Sequence, residues 1–195
     1  MPILPPEPNC FPEGLFENGQ PHSTAGREWW VLHTKPRQEK SLARQMCETK
    51  IPFYLPLISK RSPSRGRVTT SLAPLFAGYV FLLATREERI AALTTQRIVN
   101  TLIVKDQQAL WHDLRQVHRL IATGKPITPE QRLAPGHLVE IKSGPLAGLH
   151  GKIIRTASGQ RFVVQVNFIQ QGASVLMDDY NLEKIEAAEL EDHRS

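Results

Sequence analysis

The sequence predicts an α+β fold in which an open, mostly antiparallel sheet with flanking helices is followed by a small five-stranded β-barrel. Residues 28–122 predict strands and helices in the order β-α-β-β-β-α-β-α, which is typical of a sheet with helices packed on it. Residues 138–185 predict five short strands, and such a dense succession of short strands indicates a small barrel. A seam at about Pro135 separates these two patterns.

The first strand and helix of the open sheet are predicted most clearly. Residues 28–34 are apolar on both faces in their middle, which favours a central strand. Pro36 fits the first turn of a helix, and we expect that helix to run to about Lys50. Later elements follow from alternation and from helical periodicity. The strands are predicted at 53–58, 68–72, 76–83 and 98–104, and the helices at 86–94 and 106–122.

The helix after Pro36 carries a basic side. At 100° per residue, Leu42 and Met46 lie together, and three cations lie on the opposite side. We call these three residues, Arg37, Lys40 and Arg44, the basic ridge. A solvated helix face tolerates such repulsion between like charges, and a surface that binds phosphates exploits it, so both interpretations stay open.

Charge is distributed unevenly along the chain. Residues 1–26 carry a formal charge of −3 and residues 186–195 carry −3, although the whole chain is +5. The segment between them is therefore +11 and is expected to attract nucleic acid or another polyanion. The opposite charges raise the hypothesis that the first tail folds over the basic ridge.

Composition and these patterns predict five segments. Prolines and the absence of a hydrophobic period predict a disordered Pro-rich tail at 1–26 and a linker at 123–134. The open-sheet domain is predicted at 27–122, the barrel domain at 135–186 and an acidic tail at 187–195.

The spacing of reactive residues excludes the common enzyme and metal sites. Gly144 to Lys152 is not a phosphate loop, because Ile153 stands where that motif needs Ser or Thr. His112 and His118 are six residues apart and lie on different helix faces. We therefore expect no enzyme, no cofactor and no metal. The apolar run at 79–84 is too short to span a membrane, and without a secretory signal we expect a cytoplasmic protein.

Three motifs carry a family resemblance over about residues 28–185. Residues 29–37, Trp-Trp-Val-Leu-His-Thr-Lys-Pro-Arg, resemble the opening strand and helix of the NusG amino-terminal (NGN) domain. Residues 74–81, Pro-Leu-Phe-Ala-Gly-Tyr-Val-Phe, resemble its FPGYVF-type strand, and residues 135–151 resemble the KOW motif that begins its SH3-like barrel. Details such as Lys35-Pro36-Arg37 resemble the specialised paralogues of the RfaH and UpxY type.

The resemblance implies an elongation and antitermination factor. Such proteins bind the clamp helices of the RNA polymerase β′ subunit and the non-template DNA strand, and they suppress pausing and termination, in this branch at specific long operons. The positions that match the polymerase-binding surface are Trp30, His33, Phe76, Tyr79 and Phe81. From alternation alone, Tyr79 and Phe81 are equally consistent with sheet core.

The resemblance also implies two groups of nucleic-acid-binding residues. The helix group matches the surface that approaches the non-template strand, and the loop group could lie along upstream DNA or the opposing polymerase subunit. Their alternative interpretations are a solvated helix face and an exposed hairpin tip. The first group is Lys35, Arg37, Gln38, Lys40 and Arg44, and the second is Lys60, Arg61, Arg65 and Arg67.

The barrel segment contains a glycine motif, and the resemblance implies partners for it. Gly144, Gly148 and Gly151 meet the need of tight turns between short strands for positive φ or close approach. In NusG-like proteins this domain binds a small-subunit ribosomal protein or Rho, and we expect a monomer. The alternative function is a KOW-containing RNA-binding or ribosome-associated protein, in which basic loops hold folded RNA.

Overall fold

The structure is a computed structural model that describes residues 7–17, 26–64, 67–132, 137–157, 159–177 and 182–184. The chain forms two compact units, residues 1–107 (unit 1) and 108–195 (unit 2). The sequence placed the division in a linker at 123–134, whereas the units divide at Gln107. The predicted acidic tail at 187–195 and the seam at Pro135 lie outside the described residues.

Unit 1 is a mixed sheet-and-helix unit, as predicted. Its elements in chain order are β1 (Cys10–Phe11), β2 (Glu28–Thr34), α1 (Glu39–Glu48), β3 (Phe53–Tyr54), β4 (Leu57–Ser64), β5 (Arg67–Pro74), β6 (Tyr79–Ala84), α2 (Arg86–Leu93) and β7 (Ile98–Ile103). Five strands form an antiparallel sheet in the order β1-β3-β6-β2-β7. Strands β4 and β5 form a separate two-stranded hairpin.

The prediction that residues 28–34 form a central strand is confirmed. Strand β2 pairs with β6 on one edge and with β7 on the other. One face of the sheet carries Leu32, which packs in a buried cluster with Leu42 and Met46 of α1 and with Ala92 of α2. Helix α2 begins with a capping box between Thr85 and Glu88.

The helix predicted from Pro36 begins three residues later. Arg37 has φ +63°, a left-handed conformation that an α-helix cannot contain, and Gln38 N–H donates to the Lys35 carbonyl at 3.1 Å in a turn. Helix α1 therefore starts at Glu39. Two members of the basic ridge are on the helix, and Arg37 is on the turn that precedes it.

Two predicted strands are shorter than their hydrophobic patterns. The strand predicted at 53–58 is interrupted at Pro56, which has no N–H to donate to a ladder. The strand predicted at 76–83 begins at Tyr79, because Gly78 has φ +83° and is not extended.

The prediction of a disordered tail at 1–26 is wrong for residues 7–17. Strand β1 pairs with β3, and Asn9 accepts a hydrogen bond from Leu55 N–H at 2.7 Å. Phe16 is 4% exposed and its ring contacts those of Trp29 and Tyr54 at centroid distances of 6.2 and 4.9 Å. Burial raises the pKa of the Cys10 thiol in β1 to about 12, so the thiol is neutral at pH 7. The prolines mark a segment that adds an edge strand to the sheet.

Unit 2 contains helix α3 (Gln107–Ala122, which starts at the last residue of unit 1) and a six-stranded sheet. Its strands are β8 (Thr128–Glu130), β9 (His137–Ile141), β10 (His150–Thr156), β11 (Gly159–Val166), β12 (Gln171–Leu176) and β13 (Leu182–Lys184). Their order is β13-β9-β10-β11-β12-β8, and every neighbouring pair is antiparallel. Five of these strands match the predicted ones. The sixth, β8, lies in the predicted linker, and barrel closure stays a prediction.

We expect Phe16→Ala to destabilise unit 1 by about 3 kcal/mol, because it removes a buried ring from between Trp29 and Tyr54. Urea unfolding followed by tryptophan fluorescence measures the change. The matched control is Phe168→Ala, the same truncation at a residue that is 37% exposed, and its expected cost is below about 1 kcal/mol. Equal midpoints for Phe16→Ala and the wild type would show that the first segment is unpacked.

Candidate nucleic-acid interface

A cleft of about 960 Å³ opens in unit 1 between the start of α1 and the β4–β5 hairpin. Its walls combine small apolar residues with three of the predicted nucleic-acid-binding cations. The residues that line it are His33, Thr34, Pro36, Arg37, Glu39, Lys40, Lys60, Ser71, Leu72, Ala73, Pro74, Ala77, Gly78 and Val99. A cleft lined by both apolar residues and cations suits a ligand that has apolar surface and negative charge.

Glu39 fixes the inner end of the cleft. Its side chain is 6% exposed, and its carboxylate accepts a hydrogen bond from Gly78 N–H at 2.8 Å. The carboxylate lies in the first turn of α1, where the helix dipole stabilises negative charge. This bond holds α1 against the start of β6. Sequence reasoning did not select Glu39, although an acidic residue in a first helical turn was a signal for it.

Three predicted cations, Arg37, Lys40 and Lys60, line the same cleft. Lys60 comes from β4, and the other two come from the turn before α1 and from its first turn. The left-handed conformation of Arg37 costs about 1–2 kcal/mol in a non-glycine residue. The exposed Lys35 and the partly buried Gln38 flank Arg37 in the chain. The structure thus places Arg37 and Lys40 of the helix group in the same cleft as Lys60 of the loop group.

Arg44 lies one helical turn beyond Lys40 and has an acidic partner from the first segment. Its guanidinium Nη1 donates to both carboxylate oxygens of Glu7, at 2.9 and 2.8 Å. The Lys40 ammonium lies 3.9 Å from one of the same oxygens. Glu7 therefore makes the contact between the acidic tail and the basic ridge that the charge distribution suggested.

The other loop cations are further along the hairpin. Arg61 is exposed on β4. Arg67 begins β5, and its side chain is outside the described set. Arg65 lies outside the described residues. Any contribution of these three residues to binding stays a prediction.

Two of the predicted polymerase-binding residues form a surface pair at the end of the sheet. His33 of β2 pairs with Tyr79 of β6, and their ring centroids are 5.4 Å apart. His33 is exposed and Tyr79 is partly buried. A Cβ at Gly78 would lie 3.3 Å from the His33 ring, so glycine lets the imidazole lie flat against this turn. The pair borders the cleft, since His33 lines it.

The remaining three residues do not join that surface. Phe76 and Phe81 are 1% and 0% exposed and contact each other edge to face at 6.2 Å, so both are core residues. Trp30 lies on the opposite face of the sheet, because alternate residues of a strand point to opposite sides. The Arg89 guanidinium lies over the Trp30 ring, 4.4 Å from its centroid. The five residues therefore do not form one continuous patch.

The predicted glycine motif of unit 2 is explained by backbone geometry. Gly144 and Gly148 have φ +80° and +74°, and Gly148 N–H donates to the Ile141 carbonyl at 2.7 Å to close the turn between β9 and β10. Gly151 is different, because a Cβ there would lie 2.5 Å from the Val163 carbonyl oxygen and 2.7 Å from the Phe162 ring. Its role is close approach between β10 and β11.

Neither a metal site nor a membrane span is found within the described part of the chain. Among those residues, no three His, Cys, Asp or Glu side chains are grouped closely enough to hold a metal ion. No helix that the structure describes combines the length and apolar character needed to cross a bilayer.

Comparison with known proteins identifies a family and a similar solved structure. The sequence model of the family described as "Transcription termination factor nusG" matches residues 27–131, which is more than half of the chain. The chain is also similar to the solved structure titled "Domain interaction in Thermotoga maritima NusG", with 19% identity and a TM-score of 0.43. That match covers 82% of this chain and 98% of the other. No curated protein sequence matches the chain significantly.

We expect Gly151→Ala to destabilise unit 2 by about 2–3 kcal/mol, because the added methyl group must push the Val163 carbonyl away and separate two paired strands. Thermal unfolding of the full chain measures the change. Gly124→Ala is the control. Gly124 has φ +69°, and a Cβ there would have no atom within 4 Å. This variant should therefore lose only the stability that a left-handed alanine costs, about 1 kcal/mol. If both variants lose the same stability, close approach is not the reason for glycine at 151.

Proposed function

We propose that this chain, which belongs to the NusG family, is a transcription elongation and antitermination factor that binds the β′ clamp helices of RNA polymerase and the non-template DNA strand. Family membership makes it a transcription factor, in agreement with the prediction that it is not an enzyme. In the proposed mechanism, binding favours the active polymerase conformation, and pausing and termination decrease because the factor binds that conformation more tightly. A specialised role of the RfaH or UpxY type, at specific long operons, is part of the proposal.

The observation that carries the DNA part of the proposal is the cleft of unit 1. Three cations from two different elements line it, and most of its other lining residues are apolar. Cations neutralise phosphates and supply affinity without reading sequence. Bases stack on aromatic rings, of which the cleft lining offers the His33 imidazole, and amides such as that of Gln38 hydrogen-bond to base edges. This combination suits a single strand with exposed bases better than an uninterrupted duplex.

For polymerase, we propose the sheet face that carries His33 and Tyr79 as the docking surface. Its two aromatic rings are accessible at the end of the sheet, and the cleft begins at the same histidine. A protein partner and a DNA strand could therefore be bound side by side. Phe81, two residues after Tyr79 on the same strand face, is buried in edge-to-face contact with Phe76. For unit 2, a small-subunit ribosomal protein or Rho remains the proposed partner.

Single-round transcription with the cognate polymerase, on a template with a pause site and a terminator, tests the function. We expect the protein to increase read-through and the double variant His33→Ala/Tyr79→Ala to abolish the increase, because it removes both rings of the surface pair and leaves Phe81 in the core. Ile103→Ala is the control, since Ile103 is 71% exposed and shares the opposite face with Trp30.

Two other outcomes would each have a clear meaning. Loss of read-through with Ile103→Ala and not with the double variant would place the docking surface on the Trp30 face. No effect of the wild type on any template, and no co-elution with polymerase, would reject the elongation-factor proposal in favour of RNA binding.

The DNA contact is tested by fluorescence anisotropy with a short labelled DNA single strand. We expect Arg37→Gln to weaken binding at about 50 mM salt and to reduce the slope of log affinity against log salt by about 0.7, the value for one phosphate contact on a single strand. Arg155→Gln, the same change at an exposed arginine of unit 2, should alter neither quantity. Equal effects of the two variants would indicate attraction by net charge and no defined site.

A further inference from the structure

The first segment of unit 1 is anchored to the sheet and the core by residues that directly follow Glu7. Backbone pairing of β1 with β3 begins at Cys10, and Asn9 accepts a hydrogen bond from Leu55 N–H at 2.7 Å. Phe16 is buried against Trp29 and Tyr54. Glu7 is only two residues from Asn9, so its side chain can explore only a small volume. A tethered group of this kind has a high effective concentration at its binding partner.

Within that volume, Glu7 meets the exposed end of the basic ridge. The carboxylate accepts hydrogen bonds from Arg44 and lies 3.9 Å from the Lys40 ammonium. Lys40 and Arg44 are four residues apart on α1, where like charges repel. Glu7 relieves this repulsion by the same chemistry with which a phosphate would relieve it. The anion is a carboxylate from the chain itself.

We propose that residues 7–17 form an anchored strap whose Glu7 carboxylate competes with nucleic-acid phosphates for Arg44 and Lys40. This inference rests on the proposed binding of nucleic acid by the basic ridge. A phosphate must compete with Glu7 for Arg44 Nη1, which donates to both carboxylate oxygens, and more weakly for Lys40, which lies 3.9 Å from one of them. Arg37 and Lys60 line the cleft. The strap therefore divides these cations into two pairs: Arg37 and Lys60, which line the cleft, and Arg44 and Lys40, which Glu7 approaches.

The exposure of the ion pair determines how strong the competition is. The side chains of Arg44, Lys40 and Glu7 keep 51%, 29% and 28% of their exposure. Ion pairs this open to water are weak and are screened by salt. The strap consequently lowers the affinity for nucleic acid by a modest factor and leaves binding possible.

The test measures binding of the full-length protein to a short labelled DNA single strand by anisotropy, at about 50 and 200 mM salt. Glu7→Gln keeps the size of the side chain and removes its charge, so affinity at the lower salt should rise about two- to fivefold. The gain should shrink at the higher salt. The control is Glu13→Gln, which makes the same change in net charge at an exposed glutamate of the same segment.

A double-mutant cycle separates competition from general electrostatics. In an Arg44→Gln background, Glu7→Gln should give a smaller gain, because the cation that Glu7 approaches is already absent. Equal affinities of Glu7→Gln and the wild type, with both binding DNA, would overturn the strap and leave the proposed function intact. Equal gains from Glu7→Gln and Glu13→Gln would also overturn it. If no variant binds DNA at the lower salt, the DNA part of the proposed function fails, and the strap fails with it.

Discussion

Pairing of β2 on both of its edges is the constraint on which the rest of unit 1 depends. Because β6 and β7 fix its register, every side chain of β2 is assigned to one face or the other. Leu32 is assigned to the core under α1, and Val31 to the core on the other side. The face of β2 that carries Val31 is exposed to solvent at His33, near the end of the strand. A docking surface on this face must therefore lie at the end of the sheet, next to the cleft.

The cleft follows from what happens where β2 ends. The chain leaves the sheet through a turn, and the Glu39 carboxylate holds the new helix to Gly78 N–H at the start of β6. The Gly78 carbonyl oxygen in turn accepts a hydrogen bond from Thr34 N–H at 2.8 Å. These two bonds fix the helix start relative to the sheet edge. The cations before and after Glu39 are thereby presented on a rigid support, which reduces the entropy lost when a ligand orders them.

The sequence predicted local elements well because hydrophobic period and turn residues are local signals. It located β2, α2, β7 and α3 closely, and five strands of unit 2. It failed where the structure depends on distant partners. The strand at Cys10 has almost no period of its own and forms by adding to the edge of β3. The burial of Phe81 required the sheet register, because alternation alone left core and surface equally open. Alternation alone does place Trp30, three residues before His33 in the same strand, on the opposite face.

The candidate site shows the same boundary between local and distant information. The basic ridge was visible in the helical period, and the opposite charge of the first segment was visible in composition. The contact between them was not, because it depends on the strap being anchored by Phe16, a residue that composition assigned to a disordered tail. Like charges one helical turn apart repel each other, and a counter-anion reduces that repulsion whether or not nucleic acid is present. In this chain Glu7 supplies such an anion, so a phosphate that binds the ridge, as proposed, must compete with this carboxylate.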